Sequence, residues 1–133
     1  MSILDTATAF VQAINSADIN RLAELMTEDH TFVDSDGQGY SGRDRMRSGW
    51  LDYFSMVPDY RIETVDVFSE GTMVVFLGNA EGTFVQKGEL KPQNHWKVPA
   101  AWRAVVDGPK VALWQVYVNP EPMNKIFNRI KQT

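Results

Sequence analysis

Residues 29–37, Asp29-His30-Thr31-Phe32-Val33-Asp34-Ser35-Asp36-Gly37, with Ser41-Gly42-Arg43-Asp44 just beyond, carry the pattern that organises this chain. A short β pattern runs into acidic residues and glycines, and a helix start follows at once. Alternate side chains of a strand share a face, so Phe32 and Asp34 point together, with His30 behind them. Asp34 then stands at a strand end in a chain rich in aromatics, where burial makes a carboxylate a candidate general base. The other reading is that Asp34 caps the following turn through its own side chain. His30 titrates near neutrality and can assist as acid or base. A lone histidine at a strand start is, however, more often structural.

On the N-terminal side, Ser2 and Asp5 form a capping box, and Ile3, Ala7, Phe10, Val11 and Ile14 recur at helical spacing. Asp18 caps a short second helix carrying Ile19, Leu22, Ala23 and Met26, and residues 27–33 read as a strand. On the C-terminal side, Ser41 and Asp44 suggest a second capping box. The helix after it carries Met46, Trp50, Tyr53, Phe54 and Val57 on one side, and Pro58 stops it.

From there the pattern is β. Residues 60–68 form a strand whose imperfect alternation fits a bulge, and residues 72–85 form another. Residues 94–106, with Pro99 inside, make a third. Asp107-Gly108-Pro109-Lys110 is a turn, and residues 111–118 are the last strand. A closing helix over about residues 123–131 is expected to bury Ile126, Phe127 and Ile130. Helices followed by a meander predict one α+β domain over residues 1–133, with helices covering one face of a curved antiparallel sheet. Such a wrap is a cone, closed at one end by helix packing and open at the other, and its mouth is a candidate ligand site.

A length of 133 residues fits a single core, and four Trp, four Tyr and seven Phe can fill that core or line a cavity. A net charge of -4 argues against nucleic acid, and no Lys/Arg run points to an anionic membrane. The absence of cysteine excludes disulfides and thiolate chemistry. With no bilayer-length apolar run and no basic, apolar start, the chain reads as cytoplasmic.

The aromatic residues divide by face. Trp50 and Tyr53 lie on the inner stripe of the third helix, Trp96 and Trp102 share one strand face, and Trp114, Val116 and Val118 share another. Each can be core, cavity wall or both. Gln115 and Tyr117 point the opposite way from Trp114, so if the Trp114 face lines the cavity they face out, towards a dimer contact. Arg103 is the cation of a central strand, and it either holds a substrate anion or lies outside. Asn79 and Glu81 interrupt an apolar strand in the same way. His30 and His95 have no metal-ligand spacing with carboxylates, so no metal is expected. Neither a phosphate loop nor a nucleophile elbow is present, so no cofactor is expected.

The run from Asp18 to Met26, the Phe32-Val33-Asp34 strand, the Gly42-Arg43-Asp44 helix start and the order of elements resemble the nuclear transport factor two-like superfamily. Trp96-Lys97-Val98-Pro99-Ala100-Ala101-Trp102 and Trp114-Gln115-Val116-Tyr117-Val118 resemble its SnoaL-like branch, which stands beside the ketosteroid isomerases. The resemblance implies a cystatin-like cone and a homodimer built through the outer sheet. It puts Asp34 where ketosteroid isomerases carry their base. It also puts Phe10 at the oxyanion-hole tyrosine, Trp50 at the second tyrosine and Pro99 near the protonated acid. A limonene-epoxide-hydrolase-like site needs an aspartate close to Val116, and none is there. Losing both oxyanion donors argues against true ketosteroid isomerisation.

The expected function is therefore a cofactor-independent isomerase, cyclase or hydratase acting on a small apolar or carbonyl-bearing molecule. Asp34 is the candidate base, with His30 and Tyr53 as its helpers. Phe10, Phe32, Trp50, Trp96, Trp102, Arg103, Trp114, Val116 and Val118 are the expected substrate contacts. The alternative is a non-catalytic module of the same fold that binds a small ligand or a protein.

Overall fold

In the computed structural model, which describes residues 1–132, the first helix begins on the Ser2/Asp5 box: Ser2 Oγ accepts the Asp5 N–H at 3.0 Å, and Asp5 Oδ2 accepts the Ser2 N–H at 3.2 Å. This helix, α1 (Ile3–Asn15), buries Ala7, Phe10, Val11 and Ile14 on one face. Asp18 caps α2 (Ile19–Glu24) through the Arg21 N–H. The chain then runs through β1 (Met26–Val33), β2 (Gly39–Ser41) and α3 (Arg43–Met56). A meander follows: β3 (Arg61–Glu70), β4 (Met73–Gln86), β5 (Glu89–Asp107) and β6 (Lys110–Val118), and α4 (Glu121–Lys131) closes the chain.

The six strands form one sheet in the order β2-β1-β6-β5-β4-β3. The helices pack on one face of it, an α+β arrangement. The sheet is mixed and not purely antiparallel: β1 lies parallel to β6, with Phe32 opposite Trp114. The physical reason is the route between them, since β1 and β6 are joined through the whole of α3 and the meander, long enough for either direction. The short β2 lies within the glycine-marked stretch between β1 and α3. The bulge in the 60–68 strand is present as a register shift between Thr64 and Asp66. There, a Cβ on Gly78 would fall on the Glu63 carbonyl oxygen, so the bulged backbone needs glycine opposite it.

Two other local expectations are corrected. Helix α3 has Gly42 as its N-cap with φ +112° and no side-chain cap, so the Ser41/Asp44 box does not form. Instead the Gly42 N–H donates to the His30 carbonyl at 2.8 Å, tying the helix start to β1. Helix α4 has no fully buried residue: Ile126 and Ile130 are partly covered, and Phe127 is exposed. It lies across the open end of the cone, held by the Phe127 ring against Phe84 and by Arg129 donating to Gln93 O and Asn94 Oδ1. The end facing α1 is filled by Phe10, Ile14, Met26, Phe76 and Trp114. Among the described residues no helix is long and apolar enough to cross a membrane.

Candidate functional site

The inner face of the meander carries the even-numbered residues, and alternation decides the wall. Trp96 and Trp102 on β5 and Trp114, Val116 and Val118 on β6 all point inward with Ala80 of β4. With Phe32 of β1 and Trp50 and Tyr53 of α3 they enclose a cavity of about 510 Å³, a size suited to a small organic molecule. Tyr40, Tyr60 and Met123 complete it, and Met123 belongs to α4. The rings touch edge to face around it: Phe32 on Trp50, Trp50 on Tyr53, and Tyr53 on Tyr60.

The polar groups of this cavity are sorted by position. Tyr53 and Tyr60 have ring centroids 5.1 Å apart at 86°. Burial pushes both phenols well above the usual tyrosine range, and for Tyr53 the nearby Tyr60 and Asp59 add to the rise. The Trp102 indole beside Tyr60 partly offsets the rise of that phenol. The pair is thus two neutral donors in an apolar wall. At the edge of α3, Arg45, Gly49 and Asp52 follow at helical spacing and border the opening. The Arg45 guanidinium lies 5.1 Å from the Tyr40 ring centre. Among the described residues the Asp52 carboxylate has no hydrogen-bond or ion-pair partner.

Asp34 is not among the lining residues, and this corrects the expectation that it points into the cavity beside Trp50. The strand ends at Val33 and the chain turns at once, so Asp34 does not continue the Phe32 face. Its Oδ1 accepts the Asp36 N–H at 2.9 Å and the Gln38 N–H at 3.0 Å, which is the turn-capping role. Its Oδ2 accepts the Tyr40 hydroxyl at 3.4 Å, and Tyr40 does line the cavity.

Three more expected site residues lie elsewhere. His30 is fully buried in the core, with Nδ1 2.6 Å from the Val111 carbonyl and Nε2 without a partner among the described residues. Phe10 is fully buried between His30 and Trp114, at the filled end of the cone and not in the cavity wall. Arg103 points out of the sheet with its odd-numbered neighbours and donates to Gln115 Oε1 at 3.0 Å. On that outer face Asn79 donates to Glu63 Oε1 at 2.9 Å, and His95 Nε2 lies 3.3 Å from Glu81 Oε2.

Sequence reasoning missed Tyr40, Tyr60, Arg45 and Asp52. Tyr60 was assigned to the strand start. Asp52 and Arg45 were legible only as the edge of the α3 stripe, seven residues apart.

The family model of the SnoaL-like domain matches residues 7–116. No curated protein matches the chain significantly. Among solved structures, a candidate SnoaL-like polyketide cyclase from Shewanella denitrificans superposes with a TM-score of 0.80 at 16% identity, covering 96% of this chain and 97% of its own. A limonene-epoxide-hydrolase-like epoxide hydrolase from M. tuberculosis gives 0.77 at 14% identity, with coverages of 96% and 90%. A protein of ketosteroid isomerase-like fold from Catenulispora acidiphila, solved with trimethylamine, gives 0.71 at 22% identity, with coverages of 84% and 83%. At these identities the likeness is one of fold. With the family model spanning most of the chain, the protein belongs to the SnoaL-like domain family of the nuclear transport factor two-like superfamily.

Proposed function

We propose that the protein is a cofactor-independent acid/base enzyme that moves a proton on a small apolar molecule bearing a carbonyl. The observation that carries this reading is the Tyr53–Tyr60 pair, two phenols kept protonated in an aromatic cavity. Their O–H groups donate to the substrate oxygen and stabilise the enolate as it forms, the role of an oxyanion hole. Asp52 takes the C–H proton and returns it to the product, since it borders the cavity with both oxygens free. Asp34, the base expected from the sequence, can act only through Tyr40, whose proton would pass to Asp34 as Tyr40 receives the substrate's.

The test is exchange of the acidic C–H protons of 2-tetralone in heavy water, followed by proton NMR. Tetralone joins an aromatic body to one carbonyl, and exchange reads proton removal without knowledge of the natural substrate. Catalysed exchange is expected, with Asp52→Asn slowing it by at least about a hundredfold. An unaffected Asp52→Asn variant beside an inactive Asp34→Asn variant would return the base role to Asp34.

A second reading is ligand binding without turnover. It is favoured by the number of rings around the cavity, which together with the free Asp52 carboxylate suit a small organic cation. The Catenulispora acidiphila neighbour was solved with trimethylamine. Tight trimethylamine binding with no tetralone exchange would select this reading.

A further inference from the structure

A connected run of polar side chains outside the cavity ends at Asp59, the residue before Tyr60. Asp59 lies in the turn between α3 and β3, directly before Tyr60. Its Oδ1 accepts the Thr83 backbone N–H at 2.7 Å, and its Oδ2 accepts the Thr83 hydroxyl at 2.7 Å. The ladder between β3 and β4 ends at the Arg61–Glu81 pair, and Thr83 lies two residues beyond it. The Asp59 carboxylate stands in for the missing strand residue. Thr83 has one hydroxyl proton, which goes to Asp59, so the 2.9 Å contact with His95 Nδ1 is donated by the imidazole. His95 in turn meets Glu81 through Nε2 at 3.3 Å.

The inward side of the same segment is equally constrained. A Cβ on Gly82 would collide with Val57 and press on the Trp96 ring, so β4 and the turn pack at backbone distance. The Tyr60 N–H closes the turn on the Val57 carbonyl at 3.2 Å. Tyr60 is therefore fixed by its neighbours in the chain on one side and by Trp102 and Tyr53 on the other.

We infer that Asp59 is a positioning residue: by gripping Thr83 at two points it holds the turn that aims the Tyr60 hydroxyl into the cavity. The inference rests on reading Tyr53 and Tyr60 as the substrate's donors. Asp59 touches no substrate in this arrangement and acts through Tyr60.

The experiment compares two probes of one shape, 4-nitrophenol and 4-nitrotoluene, which differ in the oxygen that the donors would hold. Binding is followed by quenching of tryptophan fluorescence. Wild type is expected to prefer 4-nitrophenol. Asp59→Ala should cut that preference about tenfold while 4-nitrotoluene binds as before. Asp59→Asn keeps an acceptor for the Thr83 N–H and a partner for its hydroxyl, so it should restore most of the preference. If Asp59→Ala does not fold, Thr83→Val removes the hydroxyl half of the grip, and a loss of about threefold is expected. A preference present in wild type and intact in Asp59→Ala, or in Thr83→Val where that variant has to be used, overturns the inference. A wild type that binds both probes equally overturns instead the reading of the tyrosine pair on which the inference stands.

Discussion

Tyr60 sets its ring edge-on to Tyr53, 5.1 Å centre to centre, with the Trp102 indole beside its phenol. The two residues come from different elements, Tyr53 from α3 and Tyr60 from the turn before β3. On the proposed reading, their meeting turns a hydrophobic cavity into one that can hold an oxygen atom. An apolar wall alone selects by shape, whereas two fixed donors also select by charge developed during reaction.

The turn at Asp34 provides a stability prediction that is separate from catalysis. Its carboxylate holds the Asp36 and Gln38 N–H groups and meets the Tyr40 hydroxyl. Asp34→Ala is expected to lower stability by about 1–2 kcal/mol, measured by urea unfolding, and Asp34→Asn by less. Both should leave tetralone exchange within a few-fold of wild type once folded.

A second prediction concerns pH. Burial holds His30 below the usual histidine range, while the Val111 carbonyl and Asp29 pull it partly back. The folded state thus resists protonating His30, whereas the unfolded chain takes up the proton near pH ~6.5. The contribution of His30 is present in full above that pH and is lost as pH falls from there through the depressed folded value. Urea unfolding at successive pH values from 8 to 5, about the range of histidine titration, should show stability falling more steeply in wild type than in His30→Phe. Identical slopes would mean that His30 does not take part.

The outer sheet face predicts assembly. Phe68, Leu77 and Tyr117 are exposed there at 60%, 38% and 50%, and large apolar side chains on a sheet face call for a cover. A homodimer through this face is proposed. Light scattering at micromolar concentration is expected to give twice the chain mass, and Leu77→Asp should reduce it to the monomer. A monomeric wild type would contradict the proposal.

How far the chain could be read follows from the range of each signal. Helical and alternating periodicities are local, so the extents of α1 and β4 and the shared face of Trp96 and Trp102 were legible, whereas Met26, read as part of the second helix, opens β1. The parallel pairing of β1 with β6 joins residues about eighty apart and leaves no local mark. Asp34 was read as though the strand continued, but the φ +83° at Gly37 and the tight turn before it diverted its side chain to backbone N–H groups. Tyr60 looked like an ordinary strand residue because its surroundings are Tyr53, Trp102 and the Asp59–Thr83 contact, which bring together distant parts of the chain. The resemblance placed the cone, while the meeting of Tyr53 and Tyr60 had to be found in space.

The most direct measurement is the affinity of Tyr53→Phe and Tyr60→Phe for 4-nitrophenol and 4-nitrotoluene. If the tyrosine pair holds the substrate's oxygen, each substitution cuts 4-nitrophenol affinity about tenfold and leaves 4-nitrotoluene unchanged, because the rings stay and only a donor is lost. Equal losses for both probes, or none for 4-nitrophenol, would contradict the claim that this pair is the chemical centre of the cavity.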